Sequence, residues 1–320
     1  MFVPIIRRFA KNLTLTYDSD KSYDGLGAQL HRIIAIYSLA KVLNVRYQHR
    51  GIRHSTWHPF DDFRSEGDFI AYLASANSIF DIEGNSSDFP TLEIEVPRLN
   101  FRKLFSLSIR SYVSRKNHLI SICEPFGVLD YVTKRYRVVP DFPEFMSIVE
   151  NTRSKHHTKT IAIHYRHGSG NFALYHNQKL TRQLPLDVFA GKLKSALNTI
   201  KSDKFEDISI LFVTDAPELD LEFSVPQGQW LLWENTPGYH SGVLKIKGLS
   251  NIEIKRAFGN LPNFSIIRGG NPISALGLLA SADCLIMSRS SLSYVAGLYC
   301  RGMVYYPHDF WHPKQREWKD

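Results

Sequence analysis

The sequence predicts an α/β protein built from two Rossmann-like domains facing a cleft, and three observations carry that reading. The first half opens as strand, glycine turn and helix, the second half alternates strand and helix patterns from residue 160 to residue 300, and a polar, charged run, ENTRSKHHTK at 150–159, separates the two. Strands separated by helices imply parallel sheets covered on both faces. A chain of 320 residues also suits two domains at about 150 residues each. The expected boundaries are an N-terminal domain over 1–152, a C-terminal domain over 153–303 and a tail over 304–320.

Taken in order, NLTLTYD (12–18) shows β-branched alternation, GLGAQ (25–29) is a turn, and QLHRIIAIYSLAKVL (29–43) has helical period. Its stripe is Leu30, Ile33, Ile34, Tyr37 and Ala40, with His31, Arg32, Ser38 and Lys41 expected away from the buried centre. TLEIEV (91–96) is a short apolar run in a Pro-punctuated stretch that reads only as α/β. The second half then runs TIAIHY (160–165), PLDVFAGKLKSALNTI (185–200), ISILFVTD (208–215), QWLLW (229–233), NPISALGLLASA (271–282), DCLIMS (283–288) and SLSYVAGLYC (291–300). Each apolar run of strand length is followed by a helical or turn pattern, as a doubly wound sheet requires.

Composition narrows the function classes. With 43% apolar and 12% aromatic residues the chain is globular, and 39 basic against 31 acidic residues, a formal +8, favour an anionic partner. Cys123, Cys284 and Cys300 have no metal-type spacing and read as buried free thiols of a reducing, cytoplasmic compartment. No integral membrane segment is expected, because no run of about 18 apolar residues occurs. HExxH, GxSxG and P-loop patterns are absent.

Ligands of parallel α/β sheets bind beyond the carboxyl ends of the strands. Three segments fall there. In HYRHGSG (164–170) a strand runs into His164, Arg166, His167 and Gly168, where Arg166 can grip a phosphate with two parallel N–H bonds and the glycines let backbone approach it. In SRSSLSY (288–294), Ser288, Ser290 and Ser291 open a helix whose N–H groups can hold a diphosphate, although capping alone would account for one serine. In FVTDAPE (212–218), Asp215 ends a strand and a plain helix cap would explain it. Near the N-terminus Gly25, Gly27 and Gln29 of DGLGAQLHR form a tight turn opening a helix, but Leu30 breaks the GxGxxG fingerprint. Asp18 and Asp20 have an acid-x-acid spacing that a turn explains better than a chelate, and no metal site is expected.

In this order, GLGAQLHR, HYRHGSG, VTDAPE and SADCLIMSRSSLSYVA resemble the motif series of the inverting fucosyltransferase superfamily, which includes α1,2-, α1,6- and protein O-fucosyltransferases. His164-Tyr-Arg166-His167-Gly168-Ser169 is similar to the protein O-fucosyltransferase form of the HxRxG motif. The resemblance implies a GT-B fold, metal-independent inversion without a cofactor, and donor binding by the C-terminal domain. It places Arg166 on the donor diphosphate and leaving group, His164 near the nucleotide, and Asp215 with Ser290 or Ser291 in the same region. Two positions depart from the α-fucosyltransferase pattern: its second Arg is His167 here, and its acidic residue before Ala-Asp aligns with Ala275. The α1,6 branch's Glu after the Arg motif has no counterpart, which leaves His167, His176, Asp24, Asp61 or Asp62 as the base.

The expected function is therefore transfer of a sugar, fucose from GDP-fucose first, to a saccharide or glycoconjugate hydroxyl. Arg166 and His167 are the catalytic candidates. A UDP-pentose such as UDP-xylose is the alternative donor. A noncatalytic nucleic-acid or glycan-binding protein, using Trp57, Trp230 and Trp311, ranks below both, because basic and acidic residues are interspersed along the chain.

Overall fold

A computed structural model describes residues 2–18, 25–53, 66–82, 92–124, 128–136, 138–156, 158–167, 172–175, 178–181, 183–200, 207–224, 239–240, 243–246 and 248–320. Asp20, Asp24, Trp57, Asp61, Asp62, Gly168, His176 and the run 229–233 lie outside the described residues. The described chain divides into two compact units: residues up to Ser147 with His312–Arg316, and Ile148–Trp311 with Glu317–Asp320.

The first unit carries α1 (Phe2–Phe9), β1 (Leu13–Tyr17), α2 (Leu26–Leu43), β2 (Arg46–Gln48), α3 (Glu66–Ile79), β3 (Leu92–Arg98), α4 (Phe101–Ser114), β4 (His118–Glu124) and α5 (Val128–Tyr136). α6 (Pro143–Ser154) spans the division between the units. The strands pair in parallel in the order β2-β1-β4-β3, with Leu13 opposite His118 and Tyr17 opposite Ile122. Pro97 falls in β3, an edge strand, where a missing N–H costs no ladder bond on the open side.

α2 corrects the sequence reading twice. The helix starts at Leu26, so only Gly25 of the glycine segment is a cap and residues 26–29 are already helical. His31, Arg32 and Ser38, expected off the buried face, are buried as well. The physical reason is position. α2 packs on β1 and β2 and also against α1 and α5, the His31 ring lies 3.9 Å from that of His312, and the Ser38 hydroxyl donates to Ile34 O and Val138 O. A helix covered on several sides buries polar residues when each finds a partner.

The second unit contains β5 (Lys159–Tyr165), the hairpin β6 (Phe172–Tyr175) and β7 (Gln178–Thr181), α7 (Leu186–Thr199), β8 (Ile208–Thr214), β9 (Leu221–Ser224), β10 (Tyr239–His240), β11 (Val243–Ile246), α8 (Asn251–Phe258), β12 (Phe264–Arg268), α9 (Pro272–Ser281), β13 (Cys284–Ile286), α10 (Ser291–Tyr299) and β14 (Met303–Tyr305). Five strands form one parallel sheet in the order β12-β8-β5-β13-β14. The antiparallel pieces β6–β7 and β10-β11-β9 interrupt the alternation that the sequence suggested. Ile161, Ile163, Phe189, Leu193, Ile210, Phe212, Ile254 and Ile286 form the core between sheet and helices, with Tyr165 stacked on Phe212 at 5.5 Å. The last residues are tied in: Trp318 is buried and Lys319 bridges Tyr305.

The turn into β14 is set by space. A Cβ on Gly302 would stand 2.1 Å from the Asp283 carbonyl oxygen, the oxygen that accepts from Met303 N and aligns β14 with β13. Gly302→Ala is expected to cost about 3 kcal/mol, the scale of severe overpacking, read as a lower midpoint of denaturant unfolding with unchanged slope. A midpoint equal to the parent's would show that the turn relaxes freely.

Candidate functional site

Numbered by first appearance, the second unit's parallel strands lie in the order 3-2-1-4-5, so successive connections leave β5 toward β8 and β13 in opposite senses. That is a topological switch point, where the loops at the carboxyl ends part and leave a crevice. His164 and Tyr165 end β5, and Arg166 and His167 follow it. Across the switch point β13 ends at Ile286 and is followed by Ser288, Arg289 and the cap of α10. The two motifs are over 120 residues apart in sequence and are brought together at the bond from Ser288 Oγ to His164 Nδ1, 2.9 Å.

The serines divide their work. Ser290 caps α10, its hydroxyl accepting from Leu292 N. Ser293 Oγ donates to the carbonyls of Ser288 and Ser290, which folds the cap against the strand end. Ser291 is the first helical residue. Arg289 donates from Nε to His308 O at 2.9 Å and so ties the cap to the loop after β14.

Asp215, just beyond β8, organises the other side. Its Oδ2 pairs with Arg166 Nη1 and its Oδ1 accepts from His167 N at 2.6 Å. Both side chains of the pair are mostly enclosed, Arg166 14% and Asp215 15% exposed, which strengthens the attraction relative to a surface pair. Asp215 is held in turn: the neighbouring Ala216 donates from N to Thr214 Oγ1 and accepts at O from Arg268 Nη1. Arg268, the last residue of β12, also donates to Leu249 O and Asn251 Oδ1. Its guanidinium thus ties the segment after β8 to the segment that opens α8, and burial lowers its pKa while Glu218 opposes. The sequence pattern that marks Arg166, a strand ending in Arg before glycine, recurs at Arg268-Gly269-Gly270, so Arg268 carries a signal of the same kind. Gln183, whose amide nitrogen lies 2.8 Å from His167 Nδ1 and 3.0 Å from Tyr165 OH, left no sequence signal, being a lone polar residue beside a proline-containing loop.

Gly25, Gly27 and Gln29 belong to the first unit. Gly25 is the cap of α2, Gly27 is buried, and Gln29 is fully buried with its Oε1 accepting from Tyr17 OH, so it braces the turn from inside. Asp18 is also buried, 3.5 Å from Cys123 Sγ. Among the described residues no group of three or more His, Cys, Asp or Glu converges on a metal-sized space, and no helix is long and apolar enough to cross a membrane. Cys123, Cys284 and Cys300 are buried free thiols, and burial pushes Cys284 up to about 12 and Cys300 up to about 11.

Burial also depresses His164 from 6.5 to about 4, with Asp215 opposing and Arg166 reinforcing. The unfolded chain takes up this proton near pH 6.5 while the native site refuses it until about 4, so stability is lost as pH falls through that window. At about 1.4 kcal/mol per pH unit the loss is about 3 kcal/mol. His31, lowered to about 3 by burial and by Arg32, adds in the same direction. Thermal melts are therefore expected to fall steadily from pH 7 to pH 4, less steeply for His164→Asn. An equal slope in that variant would remove His164 from the effect.

No protein-family model matches the sequence, and a comparison with curated proteins gives no match. Solved structures do. The chain is similar to fucosyltransferase structures. A crystal structure of POFUT1 in complex with GDP matches at 11% identity and a TM-score of 0.45, over 90% of this chain and 94% of that one. POFUT1 in complex with GDP-fucose matches at 10% identity and 0.41, over 96% and 97%. The fucosyltransferase NodZ from Bradyrhizobium matches at 11% identity and 0.36, over 90% and 93%. The α/β class itself stands on this chain's own two parallel sheets.

Proposed function

We propose that the protein is a metal-independent inverting glycosyltransferase of GT-B type that moves a sugar from a nucleotide donor to a hydroxyl of a saccharide or glycoconjugate, with fucose from GDP-fucose as the first donor. The observation that carries the reading is the Ser288–His164 bond, which brings the end of β5, with Arg166 just beyond it, to the segment that leads into the capped N-terminus of α10 at one switch point. The acceptor oxygen attacks the anomeric carbon from the face opposite the diphosphate, the bond from that carbon to the phosphate oxygen breaks, and the acceptor's proton passes to a base. The developing diphosphate charge would meet the Arg166 guanidinium, which has more N–H groups than the one paired with Asp215, and the N–H groups of Ser291 and its neighbours. With the Gln183 amide donating to Nδ1, His167 carries its proton on Nε2. That tautomer suits donation to the leaving diphosphate, and the base is then His176 or one of the carboxylates Asp24, Asp61 and Asp62. The three buried thiols support a reducing, cytoplasmic setting.

A UDP-sugar such as UDP-xylose is the second reading, favoured by Ala275. This half-buried position on α9 offers no side-chain acceptor to the N–H edge of guanine, and an unpaired guanine donor there costs about 1 to 3 kcal/mol. Calorimetric titration with GDP and UDP decides between them. GDP at least about tenfold tighter, about 1.4 kcal/mol, is expected for GDP-fucose, and the reverse order moves the donor to a UDP-sugar. Binding and transfer should persist in excess chelator. A strict requirement for added manganese or magnesium overturns the metal-independent mechanism.

A further inference from the structure

We infer that helices α1 and α4 together form a docking surface for an anionic lipid membrane, a reading independent of the transferase chemistry. α4 buries Leu104, Leu107, Ser108 and Ser111 along one side. Its opposite side carries the row Arg102, Ser106, Ile109 and Val113, at the i, i+4, i+7, i+11 spacing of one helical face. A face meant only for water would be polar throughout, yet Val113 is 74%, Tyr112 53% and Ile109 37% exposed. α1 lies against this helix. The Phe9 ring meets Tyr112 edge-on at 5.3 Å and Phe105 at 6.4 Å, and Ile5, 42% exposed, adds to the apolar surface from α1. Adjoining exposed apolar side chains, unlike single scattered ones, mark an interaction surface.

Charge complementarity selects the occupant. No Asp or Glu occurs from Phe2 to Lys11 or from Phe101 to Lys116, while Arg8, Lys11, Arg102, Lys103, Arg110 and Arg115 are all exposed. Acid-free stretches also occur at 25–60 and 151–186, but on α1 and α4 the cations flank exposed apolar side chains. Cations flanking exposed Ile and Val are the pattern of helices lying in a bilayer interface, with charged heads on anionic lipid headgroups and apolar side chains at the acyl boundary. A nucleic acid would engage the cations and leave Ile109 and Val113 without a role. An apolar protein groove would do the opposite.

The test is co-sedimentation of the full chain with phosphatidylcholine vesicles, with and without phosphatidylserine. Binding at least about tenfold tighter to the anionic vesicles is expected, weakening as salt rises. Ile109→Ser/Val113→Ser should weaken it about tenfold and Arg102→Glu/Arg110→Glu should abolish it, with melting temperatures unchanged. Tyr112→Ser supplies the apolar arm should the first pair fail to fold. Lys255→Glu/Arg256→Glu, exposed cations on α8, should bind as the parent does. Four outcomes overturn the proposal: no preference for anionic vesicles, parental binding by the apolar variant, equal loss in the α8 control, or duplex DNA displacing the vesicles while the apolar variant binds that DNA normally.

Discussion

Arg166→Ala is expected to lower transfer by about 10³-fold, the loss seen when one group that stabilises developing charge is removed. Two effects combine in that substitution and can be separated. The guanidinium holds the proposed diphosphate, and it also neutralises Asp215, whose carboxylate is mostly enclosed. Removing the cation takes away the positive charge paired with that carboxylate, at a stability cost of about 1 to 2 kcal/mol, below the range for fully buried pairs because both groups keep some solvent. Arg166→Lys restores a positive charge to Asp215 and should recover that stability. It should not recover transfer, since an ammonium cannot make the two parallel N–H bonds of the fork. Nucleotide titration, melting temperature and turnover for the two variants give the answer, and near-parental turnover in either one would remove Arg166 from the chemistry.

Asp215→Asn is expected to lower kcat about 100-fold while nucleotide affinity stays within about threefold of the parent's, the mark of lost orientation in the transition state. The amide can still accept from His167 N but no longer fixes Arg166 by charge. Loss of a nearby negative charge also favours binding of an anion, which offsets the looser guanidinium in the ground state. In the proposed mechanism Asp215 is thus a positioning residue, acting through Arg166. The double variant Arg166→Ala/Asp215→Asn should be scarcely worse than Arg166→Ala, because groups in contact do not contribute additively. Additive losses, or a nucleotide affinity that collapses with Asp215→Asn alone, would show that Asp215 meets the donor itself.

The sequence by itself determined the main strands and helices of the second half and the polar residues at their ends, while the antiparallel pieces β6–β7 and β10-β11-β9 and the helical start at Leu26 were not legible in it. TIAIHY, ISILFVTD and SLSYVAGLYC are observed as β5, β8 and α10 within one or two residues, because apolar period is a local property of the chain. His164, Arg166, Asp215 and Ser288 were legible for the same reason, each being a polar residue where an apolar run stops. Neighbourhood was not legible. That β13 lies beside β5 is decided by non-local strand pairing, and only this brings Ser288 to His164 and the cap of α10 to the end of β5. Burial of His31, Arg32 and Ser38 likewise depends on how many neighbours surround α2, which periodicity within one helix does not record. Asp215 shows the difference most clearly: its sequence allowed a helix cap, and the fold instead turned its two oxygens to the Arg166 side chain and the His167 backbone. A carboxylate takes the strongest donors within its reach, and tertiary packing sets which donors those are.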